Sequence, residues 1–233
     1  MAKDIKLNVE EMEKAGVNFG HKVSKLHPKM KQYVAGVKNN VHLFDLDKTS
    51  KELAKALAFV SKLVSDGKSI VLVGTKIQLK GLIKDAADEC GISYVTERWL
   101  GGTFTNFETI QKRVTYFKDL ERKRETGELA KYTKKEQLNF DRELAILKVK
   151  FEGIRNMAKL PDAVFIFGID KDITCAREAK IKGIKIVALV DTNVNPDIVD
   201  YPIPANDDAI SAVRYIIEKV AETIQISKKV SAR

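Results

Sequence analysis

The 233-residue chain carries 41 Lys and Arg against 32 Asp and Glu, a net charge of +9, and is 44% hydrophobic. A chain of this length buries about 70–75% of its unfolded surface, so it needs neither a disulfide nor a metal to fold. The surplus of positive charge points to a polyanionic partner, a nucleic acid or a membrane face, or else serves solubility alone.

The two cysteines, Cys90 and Cys175, form no CxxC pair. That excludes a zinc ribbon or a dithiol redox motif and fits a reducing compartment. Met1-Ala2-Lys3-Asp4 opens polar, without the apolar stretch of a signal peptide. No apolar run approaches the ~20 residues of a membrane span. The expected location is the cytoplasm.

Asn8 followed by Glu11 predicts a helix start, and Gly16 its end. A basic irregular stretch follows, Gly20-His21-Lys22-Val23-Ser24-Lys25-Leu26-His27-Pro28-Lys29-Met30-Lys31. Extended runs Tyr33 to Lys38 and Val41 to Leu46 flank Asn39-Asn40, a pair that tolerates positive φ, so a hairpin is expected. Asp47 is placed to cap the next helix, whose apolar positions Leu53, Leu57, Val60 and Val64 run to Gly67.

Strand and helix then alternate. Strands are expected at Ser69 to Val73, Ser93 to Val95, Ala163 to Phe167, Lys185 to Val190 and Tyr201 to Ile203, with Pro202 marking a sheet edge. Helices are expected at Gln78 to Glu89, Asp172 to Lys182, and from Asp207 onward with Ile210, Val213, Ile217 and Val220 on one face. Continuous apolar strands alternating with helices define an α/β fold, a doubly wound parallel sheet covered on both faces.

Residues 108–159 interrupt the alternation. Phe107, Ile110, Val114 and Phe117 form one apolar stripe, and Phe140, Leu144, Leu147, Phe151 and Ile154 a second. Thr133 with Glu136 reads as a capping box. Two narrow stripes joined by a polar turn predict an antiparallel helical hairpin, packed as a coiled coil and projecting from the body. The alternative is two ordinary helices lying on the sheet domain. The expected organisation is a body of residues 1–107 and 160–226, with its basic segment at 17–38, an inserted hairpin at 108–159, and a basic tail at 227–233.

A doubly wound sheet binds ligands beyond its strand ends, here at Gly74-Thr75-Lys76 and Gly168-Ile169-Asp170. Neither carries the chemistry. Gly74 is followed six residues on by Lys80-Gly81 with no Ser or Thr next, which is not a P-loop, and no strand runs into GxGxxG. His21 and His27 lie among positive neighbours that oppose metal binding, and His42 reads as structural. Asp170 and Asp172 beside Lys171 read as a loop and a helix cap. No Ser sits in a GxSxG elbow. No cofactor, metal or catalytic residue is expected.

What remains is basic and polar: the segment Gly20 to Lys38, and Glu97-Arg98-Trp99-Leu100-Gly101-Gly102-Thr103-Phe104-Thr105-Asn106-Phe107. Arg pairs with phosphate in two-pronged fashion. Glycines let backbone amides approach a phosphate, and Thr, Asn and aromatic rings suit the ribose hydroxyl and exposed bases of RNA. Equally, Trp99, Phe104 and Phe107 can fill the junction between hairpin and sheet.

The run from Arg98 to Phe107 closely resembles the signature of the bacterial small-subunit ribosomal protein S-two family. So do Gly20-His21 with Pro28-Lys29-Met30-Lys31, Phe44-Asp45-Leu46-Asp47-Lys48-Thr49, Val73-Gly74-Thr75-Lys76, Leu160-Pro161-Asp162-Ala163, Ala188-Leu189-Val190-Asp191-Thr192-Asn193 and Ile203-Pro204-Ala205-Asn206-Asp207-Asp208-Ala209. The blocks follow family order and cover nearly the whole chain. Leu26-His27 depart from the family's usual tryptophan and asparagine, and Gly168-Ile169-Asp170-Lys171 from its usual Asp-Pro.

The resemblance implies a flavodoxin-like body with a helical hairpin. It implies binding to small-subunit ribosomal RNA at the junction of head and body, a role in docking ribosomal protein S-one beside other small-subunit proteins, no enzymatic activity, and a bacterial or organellar origin, of which the lack of a visible transit peptide favours the bacterial. The residues expected to face RNA are His21, Lys22, Lys25, Lys29, Lys31, Lys76, Arg98, Thr103, Thr105 and Asn106. The rival readings are a small-molecule enzyme using the sheet's crevice and a protein adaptor that docks through the hairpin.

Overall fold

The computed structural model describes residues 7–231; the polar start at residues 1–6 and the last two positions of the basic tail lie outside the described residues. Asn8 caps α1 (Val9–Lys14) by accepting from the Glu10 amide at 2.9 Å. β1 (Phe19–Lys22), β2 (Val34–Lys38) and β3 (Val41–Phe44) form a small antiparallel sheet in the order β1-β3-β2. Asn39 and Asn40 turn the β2–β3 hairpin at φ 49° and 63°, the left-handed region that Asn tolerates.

α2 (Leu46–Ser65) starts two residues earlier than its expected cap allows. Asp45, not Asp47, is the N-cap, and its carboxylate accepts from the Asp47 and Lys48 amides. Asp47 sits in the first turn, where a carboxylate still favours the helix dipole.

β4 (Ile70–Val73), α3 (Lys80–Cys90) and β5 (Ser93–Val95) follow, then α4 (Phe107–Glu125) and α5 (Lys134–Phe151), then β6 (Ala163–Ile166), α6 (Ile169–Lys182), β7 (Lys185–Val190), β8 (Tyr201–Pro204) and α7 (Ile210–Ser231). All neighbours in the five-stranded sheet are parallel, in the order β5-β4-β6-β7-β8. β8, with Pro202 and Pro204, is an edge strand, as a proline without an amide hydrogen requires.

Every residue of β4 and β6 is buried, because helices cover both faces. Ile70, Leu72, Phe165, Val187 and Leu189 pack with α1, α2, α3 and α7. Their alternates Val71, Val73, Val164, Ile166, Ala188 and Val190 pack with α6, the Trp99 loop and the base of α4 and α5.

The apolar stripes of residues 108–159 meet each other. Ile110, Val114, Phe117, Leu144, Leu147 and Phe151 are buried in one cluster. An Arg124–Asp141 ion pair ties the two antiparallel helices, and Arg155, just beyond α5, pairs back to Glu121 of α4. Thr133 and Glu136 form the expected capping box of α5. α4 and α5 pack chiefly on each other, and Gln111 anchors their base by donating to the Met157 carbonyl.

Two other helix starts differ from expectation. α6 begins at Ile169, three residues early, and kinks at Asp172 (φ −105°, ψ 28°). α7 begins at Ile210, and Asn206, not Asp207, accepts from the Asp208 and Ala209 amides ahead of it. The tail from residue 227 to 231 continues α7.

Candidate nucleic-acid interface

The parallel sheet changes winding direction between β4 and β6, which opens a crevice beyond their C-terminal ends. The protein's own side chains fill it. Lys76 is only 9% exposed, and its ammonium lies 2.8 Å from Asp207 Oδ1 and 2.6 Å from Asp208 Oδ1. It also donates to the Asp207 carbonyl at 3.0 Å. The Thr75 amide and hydroxyl donate to the Asp172 carboxylate at 3.1 and 3.0 Å. Asp172 therefore joins α6 to the β4 loop across the crevice and is not a helix cap.

The glycines serve this packing. A Cβ on Gly74 would fall 2.3 Å from the Ile83 side chain, and one on Gly168 would fall 3.1 Å from Lys76 Cε. Burial pulls the Lys76 ammonium down, but Asp207 and Asp208 outweigh it and leave its pKa above the ordinary value. Burial pushes the Asp207 carboxyl up to about 6, with Asp191 and Asp208 adding to the rise and Lys76 opposing it.

β1 closes over the same edge. Gly20 lies so near the end of β7 that a Cβ there would sit 2.6 Å from Thr192 Cγ2. The His21 amide donates to Thr192 Oγ1 at 2.9 Å. Its imidazole Nδ1 sits 3.0 Å from Asp191 and its Nε2 3.6 Å from Asp208. The bond to Asp191 raises the His21 pKa, burial opposes it, and the charges of Asp191, Asp207 and Asp208 reinforce it. Both Lys76 and His21 were expected to face RNA; the structure turns each toward carboxylates of its own chain.

The rest of the basic segment is pinned but open. The His27 amide donates to the Thr192 carbonyl at 2.8 Å, and its side chain caps the following 3-10 turn. Met30 is fully buried, and Leu26 packs half-buried against the second core cluster, so an apolar contact persists at that departure from the family pattern. Lys22, Lys25 and Lys31 are exposed, and none of them is in an ion pair among the described residues. Lys29 is exposed and paired with Asp197.

The tryptophan loop is built around an anion, and that anion belongs to the protein. Glu178 of α6 is 6% exposed. It accepts from the Gly102 amide at 2.8 Å, the Phe104 amide at 2.9 Å, the Thr105 amide at 3.1 Å and the Trp99 indole at 3.2 Å. Burial opposes its charge, but these donors hold its carboxyl below the ordinary value. The amides expected to approach a phosphate are thus occupied.

Trp99 and Phe104 meet edge to face at 4.7 Å and are buried, filling the junction at the hairpin base. Thr103 is buried too, its hydroxyl donating to the Leu100 carbonyl at 2.6 Å, which removes it from the solvent face where it was expected. Arg98, Thr105 and Asn106 are exposed. The Thr105 hydroxyl also reaches Glu178, and Asn106 accepts from the Thr109 hydroxyl. Sequence reasoning missed Glu178 and its role. The available signal was a carboxylate on the helix face that carries Cys175 and Ala179, both buried.

The class of protein these features outline is an α/β body whose crevice is filled by its own side chains, with a paired-helix insertion and, on an ordered flank, cations in no ion pair among the described residues. Comparison with known proteins makes this specific. The family model for ribosomal protein S2 matches residues 12–227. Small ribosomal subunit protein uS2 of Endomicrobium trichonymphae is 43% identical over 96% of this chain and 92% of its own length. The uS2 protein of Dehalococcoides mccartyi strain CBDB1 is 40% identical over 93% and 89%. The uS2c protein of Guillardia theta is 43% identical over 94% and 93%. The chain belongs to the ribosomal protein S2 family, structural components of the small ribosomal subunit and not enzymes.

Proposed function

We propose that the chain binds small-subunit ribosomal RNA at the junction of head and body and helps dock ribosomal protein S-one beside its small-subunit neighbours. The observation that carries RNA binding is the set Lys22, Lys25 and Lys31: exposed, without ion pairs among the described residues, on a segment held in place by Thr192. Lys29, Arg98, Thr105 and Asn106 extend the contact surface. His21 and Lys76 act behind it by fixing the segment and the sheet edge, and Thr103 by shaping the tryptophan loop.

Cations fixed on a rigid flank neutralise phosphates without a large ordering cost. The test is the salt dependence of rRNA binding by the full chain. Each phosphate contact contributes a log–log slope of roughly 0.7–0.9. The triple variant Lys22→Gln, Lys25→Gln, Lys31→Gln is expected to flatten that slope by about 2. An unchanged slope rejects the surface. For the S-one role, subunits assembled without this chain are expected to lose S-one and to regain it when the chain is added back.

A further inference from the structure

At the opposite end of the parallel sheet, below the N-terminal ends of β4 and β5, lies an open cleft of about 920 Å³. The loop from α2 to β4, helix α3, the segment after α5 and the last turns of α7 enclose it. Its cations are Lys68, Lys84, Arg155, Lys159 and Lys228, against the carboxylates Asp88 and Glu152.

These cations differ in their commitments. Arg155 is paired with Glu121 and Glu152. Lys228 donates to the Cys90 and Gly91 carbonyls at the end of α3. Lys68, Lys84 and Lys159 are exposed, and none is in an ion pair among the described residues. Three separate stretches of chain thus bring three ammonium groups outside any ion pair among the described residues to one concave surface. The nearby Asp162 carboxylate accepts from the Ser69 amide and hydroxyl, and these bonds, helped by the charges of Lys159 and Lys68, hold its pKa below the ordinary value.

We propose that this cleft is a second RNA-backbone site, so that the body is held between two RNA segments, one at each end of the sheet. The inference rests on the RNA-binding reading above. The cleft is open, which suits a polymer better than an enclosed small ligand. Its one aromatic ring, Tyr94, is 8% exposed and offers no stacking platform. Recognition is therefore of phosphates by Lys, with Ser93 and Asn156 placed on the lining for ribose hydroxyls.

The experiment compares the full-length chain with Lys68→Gln, Lys84→Gln, Lys159→Gln and, separately, with Lys22→Gln, Lys25→Gln, Lys31→Gln. It measures rRNA affinity against salt and hydroxyl-radical footprints on the same rRNA. The cleft variant is expected to flatten the log–log slope by about 2 and to lose a footprint distinct from the one lost by the other variant. An unchanged slope with all footprints intact overturns the cleft while leaving the first surface standing. No salt-dependent binding by the unsubstituted chain overturns both. A matching thermal transition for all three proteins shows that the changes act on binding and not on folding.

Discussion

Lys76 and the lysines of the β1 flank sit near one edge of the sheet and do opposite things. Lys76 is nearly buried and gripped by Asp207 and Asp208, while Lys22, Lys25 and Lys31 stand in solvent without ion pairs among the described residues. The loop around Glu178 repeats the contrast in reverse: it has the glycines and amides of a phosphate cradle, yet they close on an internal carboxylate. A residue type suited to binding an anion thus says little until its partner is known. Charges met from within hold the scaffold, and charges left unmet are available to RNA.

Breaking the internal set should cost the most. Glu178→Leu leaves three amides and an indole N–H without a buried acceptor, and a loss of about 3–5 kcal/mol in urea unfolding is expected. Because the folded pKa of Glu178 lies below its ordinary 4.5, its contribution is fully present above that pH and is lost as pH falls through the folded value. Glu178→Gln should remove that part of the acid sensitivity; an unaltered acid profile would detach the loop from this carboxylate.

Lys76→Met comes next, with a loss of about 3 kcal/mol, since it strands Asp207 beside Asp191. Asp207 is raised from 3.8 to about 6, so its contribution is complete below 3.8 and lost as pH rises through about 6. His21, raised above 6.5, adds a loss of the same sign at higher pH. The substitution should steepen the decline above pH 4, and a flat stability profile between pH 4 and 7 would contradict the cluster. Arg98→Gln, by contrast, should change stability by less than about 0.5 kcal/mol while weakening rRNA binding.

The alternation of apolar strands and helices made the doubly wound sheet legible, because parallel strands buried on both faces leave a continuous apolar signature in the chain. The paired helices were legible for a similar reason: their stripes and the Thr133 capping box are local. Helix starts were less so. Asp45 and Asp47 are equally good caps by type, and the choice depends on where β3 ends. The crevice contacts were illegible, since Lys76 meets Asp207 across 131 residues and Glu178 meets Gly102 across 76. No local pattern encodes such a pairing. Leu26 shows the converse: out of family pattern in the chain, it still contributes an apolar contact in the fold.

Lys29 stands between the two kinds of cation and offers the finest test. It is exposed like its neighbours but paired with Asp197, itself 55% exposed. An exposed pair contributes little to stability, about 0–1 kcal/mol, so Asp197→Asn should leave the unfolding transition almost unmoved. Its effect should appear in binding. A carboxylate some 4 Å from a phosphate costs about 1 kcal/mol in water, roughly a fivefold affinity change that fades as salt rises. Asp197→Asn is therefore expected to tighten rRNA binding severalfold at low salt and negligibly at high salt. Equal affinity at both would mean that Lys29 and Asp197 only hold each other, and Lys29 would then drop out of the proposed RNA-facing surface.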